Sequence, residues 1–195
     1  MKTSFILISL AMLCMPAVLF FGCSKNNPAP VTATEILANG NMETGLGSPT
    51  GWFNGNPSSN ISITWSTDAA ASPTHSLRIS QTTASNASEY GTWGQNYAGS
   101  MPIGRDLTFS VKIKADNLAG PGAALVIRVD GATTPDLQFT STEGTKSIIG
   151  TFDWASYNVK LLNLSKDAKY IIVYLVYLPN TTGTVYFDDA SLTHN

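Results

Sequence analysis

After residue 35, apolar and polar positions alternate along most of the chain with a period near two, not the 3.6 of a helix. The stretch 107–114 is the clearest case. It sets Phe109, Val111 and Ile113 on one side and Thr108, Ser110, Lys112 and Lys114 on the other, as in a strand with one buried face. The same reading predicts strands over 61–65 and 76–80. It predicts others over 125–130, where Leu125, Ile127 and Val129 alternate with Val126, Arg128 and Asp130, over 157–162 and over 184–192. The run 170–178 is apolar at both parities. It reads either as a central strand covered on both sides or as one whose second face carries exposed aromatics. Turn signals such as Asn39-Gly40, Ala119-Gly120-Pro121-Gly122, Asp130-Gly131 and Thr182-Gly183 separate these segments. No stretch carries the stripe of a substantial helix. The expected fold is all-β, a two-sheet antiparallel β-sandwich or jelly roll.

The first residues follow a different rule. Lys2 precedes an apolar stretch from Phe5 to Phe21 that ends at Gly22-Cys23, short for a membrane span. A small residue directly before cysteine resembles the lipobox of bacterial lipoprotein signal peptides. Phe20 and Phe21 stand where that pattern prefers an aliphatic and a small residue. The expectation is a signal peptide over 1–22, lipidation of Cys23, a flexible tether over 23–34 and one folded domain over 35–195. An ordinary secretory signal cut elsewhere is the alternative. With Cys14 removed and Cys23 lipidated, the domain has no disulfide. The protein is then expected at the cell envelope, held to the membrane by its lipid anchor.

Composition agrees with an extracytoplasmic β protein. Only 12% of the 195 residues are charged, about half the globular average of roughly 25%. Eleven basic against thirteen acidic residues supply no stripe to neutralise a phosphate backbone, which excludes nucleic acid as the natural partner.

Five landmarks in order carry a further resemblance. They are Asn39-Gly40-Asn41-Met42-Glu43-Thr44-Gly45, then Pro49-Thr50-Gly51-Trp52, His75-Ser76-Leu77-Arg78-Ile79, Trp93-Gly94-Gln95-Asn96-Tyr97, and the ending 183–192 around Tyr186-Phe187-Asp188-Asp189. Together they resemble the galactose-binding-like jelly rolls that include carbohydrate-binding modules of families four, nine and twenty-two. The resemblance implies a structural Ca²⁺ site where the first and last strands meet. Glu43 and Asp188 would be its carboxylates, with backbone oxygens from Asn41 and His75. Calcium is a hard cation that takes six to eight oxygens, so two carboxylates from distant parts of the chain suit it. Without an ion, Asp188 and Asp189 would be a solvated turn and Glu43 a surface residue. Two histidines and no cysteine in the domain leave zinc almost no ligands.

The functional expectation rests on aromatics, because a sugar ring offers an apolar C–H face to stack and a polar rim to hydrogen-bond. Trp93, Gln95 and Tyr97 share one side of a strand. Facing out, they would form a platform to which Arg128, Gln138 and Tyr174 or Tyr177 add, with Tyr90 at its rim. Facing in, Trp93 and Tyr97 would be core and Asn96 would meet water. Trp52 and Trp154 read as packing residues. There is no Gly-x-Ser-x-Gly elbow, and neither histidine sits in a nucleophile setting. The expected role is therefore non-catalytic capture of poly- or oligosaccharide, in the company of glycan-degrading proteins. A structural or protein-binding surface module is the alternative.

Overall fold

The computed structural model describes residues 32–55, 60–84 and 89–195. The expected signal peptide, the lipidated Cys23 and nearly all of the tether lie outside the described residues. The tether's last residue, Thr34, instead begins the first strand.

Among the described residues eleven strands build the domain, and none of these residues is helical. In chain order they are β1 (Thr34–Glu35), β2 (Phe53–Gly55), β3 (Ser62–Ser66), β4 (Ser76–Gln81), β5 (Gly91–Tyr97), β6 (Leu107–Ala119), β7 (Ala123–Gly131), β8 (Gln138–Ser141), β9 (Gly150–Leu161), β10 (Ala168–Tyr177) and β11 (Thr182–His194). All pairings are antiparallel. One sheet runs β3-β4-β11-β6-β9, with β1 also pairing β11, and the other runs β2-β5-β10-β7-β8. This is a jelly-roll sandwich.

Period-two patterning explains the core. Leu77 and Ile79 of β4, Phe109, Val111 and Ile113 of β6, and Val185 and Phe187 of β11 are all sealed from water. So are Trp93 of β5, Leu125, Ile127 and Val129 of β7, and Ile171, Val173 and Leu175 of β10. These alternate positions fill the space between the sheets. The expected faces of 107–114, 125–130 and 157–162 therefore hold. The short strands β1, β2 and β8 had no alternation long enough to announce them.

The opening motif is an architectural joint. Asn39 takes a left-handed conformation (φ 49°), in which its amide donates to the carbonyls of Thr44 (2.9 Å) and Thr50 (3.0 Å) and accepts from Thr44 N–H. Gly40 lies flat against β11. A Cβ there would come 2.0 Å from the Ala190 carbonyl oxygen, and Ala190 N–H donates to Gly40 O. Only glycine permits that approach. Met42 is then fully buried, and Trp52 is buried with its indole N–H on Asn39 O.

Candidate functional site

Strand β5 sorts its side chains opposite to a binding platform. Trp93, Gln95 and Tyr97 do share a side, but it is the inner one. Trp93 is 2% exposed, in the core, with its indole N–H directed at Arg78 O of the facing sheet. Gln95 is buried as well. Its amide pairs with both backbone groups of Ala38, accepting from N–H at 2.8 Å and donating to the carbonyl at 2.9 Å. A buried amide needs such partners, so Gln95 serves to hold the incoming chain. Tyr97 packs against the core and donates its hydroxyl to Ser100 O. The outward platform on these three residues is therefore corrected. Five residues of one strand cannot reveal which parity faces the second sheet.

Gln138 is corrected by the same logic. It pairs in register with Val129, an inner position, while Phe139 pairs with Arg128. The Gln138 side chain accepts from Ser165 N–H and donates to Asn163 O, tying down the loop before β10. Tyr177 is also internal, with its hydroxyl on Gly183 O and its pKa pushed up by burial.

Three predicted residues, Arg128, Tyr174 and the rim residue Tyr90, do meet. They stand on the outer face of the β2-β5-β10-β7-β8 sheet, in a groove of about 440 Å³ with Thr92, Phe139 and Asp136. Register explains the convergence. One row across the sheet reads Phe53, Gly94, Tyr174, Val126, Ser141, and the next reads Asn96, Ile172, Arg128, Phe139. The floor is a small apolar cluster of its own, Ala124, Val126, Val176 and Leu178 with Tyr174 packed on it. This accounts for the run 170–178 being apolar at both parities: one parity feeds the core and the other the groove.

Gly94 makes the aromatic end possible. Phe53 and Tyr174 meet above it edge to face, with ring centroids 6.1 Å apart and an interplanar angle of 86°. A Cβ on Gly94 would lie 2.5 Å from the Phe53 ring and 3.0 Å from that of Tyr174. At the other end Phe139 stands 60% exposed. Burial raises the Tyr174 pKa, so its hydroxyl is protonated and able to donate throughout the neutral range.

Beside the rings lies an ion cluster. Arg128 Nε donates to Asp130 Oδ1 (2.9 Å) and Nη2 to Asp130 Oδ2 (3.1 Å), with Asp136 Oδ1 3.0 Å from Nε. The hydrogen bond to Asp130 is foremost in raising the Arg128 pKa, and the same bond is foremost in lowering that of Asp130. Glu143 completes the charged lining. Sequence reading passed over Phe53, Phe139 and Asp136. The available signal for Phe139 was its place one residue beyond Gln138, where a single step in register exchanges faces.

A hollow of similar size, about 450 Å³, lies beside β1. Tyr97 and His194 are the rings in its lining, and the Tyr97 hydroxyl is already committed to Ser100.

The four residues of the expected calcium site also come together, around the loop before β4. Glu43 Oε1 accepts from Thr74 N–H (3.0 Å) and His75 N–H (2.8 Å), while Oε2 meets Thr74 Oγ1 and His75 Nδ1. Asp188 is completely buried. Its Oδ2 accepts from Ala71 N–H (2.7 Å) and Ser72 N–H (2.9 Å), and its Oδ1 from Ser72 Oγ (3.0 Å) and Asp189 N–H (2.6 Å). The Asn41 carbonyl lies 3.1 Å from Ser72 Oγ, whose single proton it shares with Asp188 Oδ1. Each carboxylate has about four acceptor directions, and each already has four partners. Backbone N–H groups point where a cation would need oxygen donors, so this arrangement does not fit Ca²⁺. Among the described residues no group of three or more His, Cys, Asp or Glu is placed to hold a metal. The carboxylates act directly, as staples on the loop.

No protein-family profile matches the chain, and no curated protein matches it by sequence. Solved structures match by shape. TmCBM61 in complex with beta-1,4-galactotriose superposes with a TM-score of 0.55 at 13% identity, over 83% of this chain and 99% of that one. At that identity the likeness is one of fold, the two-sheet jelly roll. The CBM22-1-GH10 modules of Clostridium thermocellum xylanase 10B, complexed with xylohexaose, give 0.55 at 17% identity over 83% of this chain, which spans only 29% of that one. A Stig cyclase from Fischerella sp. TAU, in complex with an indole derivative, gives 0.61 at 14% identity over 84% of this chain and 98% of that one. The fold thus supports both sugar-bound modules and an enzyme, and the residues of the site must decide between roles.

Proposed function

We propose that the protein is a non-catalytic glycan-binding module that holds poly- or oligosaccharide in the groove of the β2-β5-β10-β7-β8 sheet. The observation that carries this reading is the joining of aromatic faces (Tyr90, Phe139, Tyr174) with polar side chains (Thr92, Arg128, Asp136, Glu143) in one open groove. Rings supply stacking surfaces for sugar C–H faces, and the polar groups bond hydroxyls at the sugar's rim. A neighbour of the same fold was solved with beta-1,4-galactotriose, and CBM22-1-GH10 modules, of which this chain matches a part, with xylohexaose. An open groove suits a chain that enters and leaves without being enclosed.

The Gly22-Cys23 junction supports the remainder of the reading: a lipid-anchored domain at the cell envelope that captures glycan for companion degrading proteins. Replacing Cys23 with Ser should release the protein from the membrane fraction.

The deciding experiment uses Phe139→Ala. Its ring is largely in water, so thermal unfolding should move by less than about 1 kcal/mol. Retention in polysaccharide-containing affinity gels, led by a glycan array, should fall about three- to tenfold, the worth of one stacked ring. Unchanged retention would remove the groove as the sugar site and leave the sheet face as a structural or protein-docking surface.

A further inference from the structure

We propose that Asp130 and Asp136 set the groove's choice among glycans: by cancelling the charge of Arg128 they make it a site for uncharged chains that turns away those bearing carboxylate or sulfate groups. The inference rests on the glycan-binding reading above and adds to it a ligand class and the residues that impose it.

An arginine beside exposed rings is the usual grip for a carboxylate, since its planar fork meets two oxygens at once. Arg128 has that position but not that freedom. The edge of the fork formed by Nε and Nη2 is already filled by both oxygens of Asp130, and Asp136 closes on Nε from a second direction. Of the five N–H donors of a guanidinium, three remain, enough to bond sugar hydroxyls. The charge does not remain. Arg128 is the one positive group against Asp130 and Asp136, and Glu143 stands elsewhere in the lining, so the described lining and its adjoining row carry a net charge of minus two.

The two aspartates are held there by the backbone. Asp130 lies two residues along β7 from Arg128, on the same outer face. Asp136 sits in the turn before β8 with φ 53°, and its N–H donates to Asp130 Oδ1 at 2.8 Å. Asp130 is a positioning residue that acts through Arg128, while Asp136 and Glu143 line the groove itself. An approaching uronate would meet two uncompensated carboxylates before it met a free cation. Repulsion between unit charges about 5 to 6 Å apart, in surroundings between surface and bulk water, weakens binding by about three- to tenfold per charge.

The test compares matched ligands on the full-length protein: β-glucan and galactan, each beside the same polymer oxidised at C6 to the uronate. Wild type should retain a neutral polymer and bind its oxidised form at least about tenfold more weakly. Asp136→Asn keeps the left-handed turn, which asparagine tolerates, and should narrow that gap about three- to tenfold at low salt. Asp130→Asn should do the same by freeing the fork, and the gain should vanish in about 0.5 M NaCl. Adding Arg128→Gln to Asp130→Asn should erase the gain, which a merely structural role for Asp130 would not produce. Equal wild-type binding of neutral and oxidised polymer overturns the selectivity while leaving glycan binding intact. So does an unchanged gap in both aspartate variants. Failure of wild type to bind either form of either polymer, with no neutral glycan retained on an array, overturns the glycan reading and this inference with it.

Discussion

Replacing Trp93 with Ala separates the two possible uses of an aromatic on β5 most sharply. The indole is 2% exposed and fills the space between the sheets. Removing it deletes an aromatic surface of roughly 150–250 Å² from the core, and at about 25 cal/mol per Å² the transfer cost alone is roughly 4–6 kcal/mol. Partial collapse of the cavity brings measured costs of this kind to about 3–5 kcal/mol. The indole N–H bond to Arg78 O, at 3.5 Å, is long and adds little. For a domain of this size each kcal/mol moves the melting temperature by about 2–4 °C, so a drop on the order of 10 °C is expected. Thermal unfolding followed by circular dichroism measures it, and affinity gels run well below the lowered transition should show retention close to wild type. An unfolding temperature within a degree of wild type, together with lost retention, would refute the packing argument and turn the indole outward.

Two further outcomes concern the loop staples. Hydrogen bonds hold Glu43 at a pKa of about 2. Burial alone would raise it, but the Thr74 hydroxyl, the N–H groups of His75 and Thr74, and the His75 ring together outweigh burial. A folded-state pKa below the usual 4.5 means stability that is present above pH 4.5 and lost as pH falls toward 2. The difference in unfolding free energy between wild type and Glu43→Gln should therefore reach up to roughly 3 kcal/mol at neutral pH, at about 1.4 kcal/mol per pKa unit, and shrink across that window. A difference independent of pH between 2 and 6 would refute it. Asp188 titrates in both proteins and cancels from the comparison. Because the carboxylates are satisfied by N–H and O–H donors, a chelator should leave the melting temperature unchanged, and a fall of several degrees that calcium restores would place an ion between Glu43 and Asp188.

How much of this molecule could be read in advance follows from what a period of two encodes. Alternation in 107–114 or 125–130 says that one face is dry, and with long strands on both sides the dry face has only one place to go. The sandwich was therefore legible, together with seven of its eight longer strands and the role of Trp52. For β5 the pattern fails. Trp93, Gln95 and Tyr97 on one side oppose Thr92, Gly94 and Asn96 on the other, and neither set is plainly apolar, because a buried glutamine paired with Ala38 looks the same in sequence as one waiting for a sugar. The site was half legible for a related reason. Arg128 and Tyr174 lie on long strands whose parity is fixed by a buried neighbour at every second position. Phe139 and Gln138 lie on a four-residue strand, where nothing but its register with β7 decides which of them turns outward. The decisive clue was the excess of apolar residues on β10. A strand in the middle of a sandwich needs one apolar face for the core, and a second one must be matched to something beyond the sheet. Val176 and Leu178, with Ala124 and Val126 beside them, build that second face under the open groove, and Gly94 clears the height above it in which Phe53 and Tyr174 meet. Under the glycan-binding reading proposed above, a sugar, apolar on its faces and polar around its rim, would match both the floor and the ion cluster at its side.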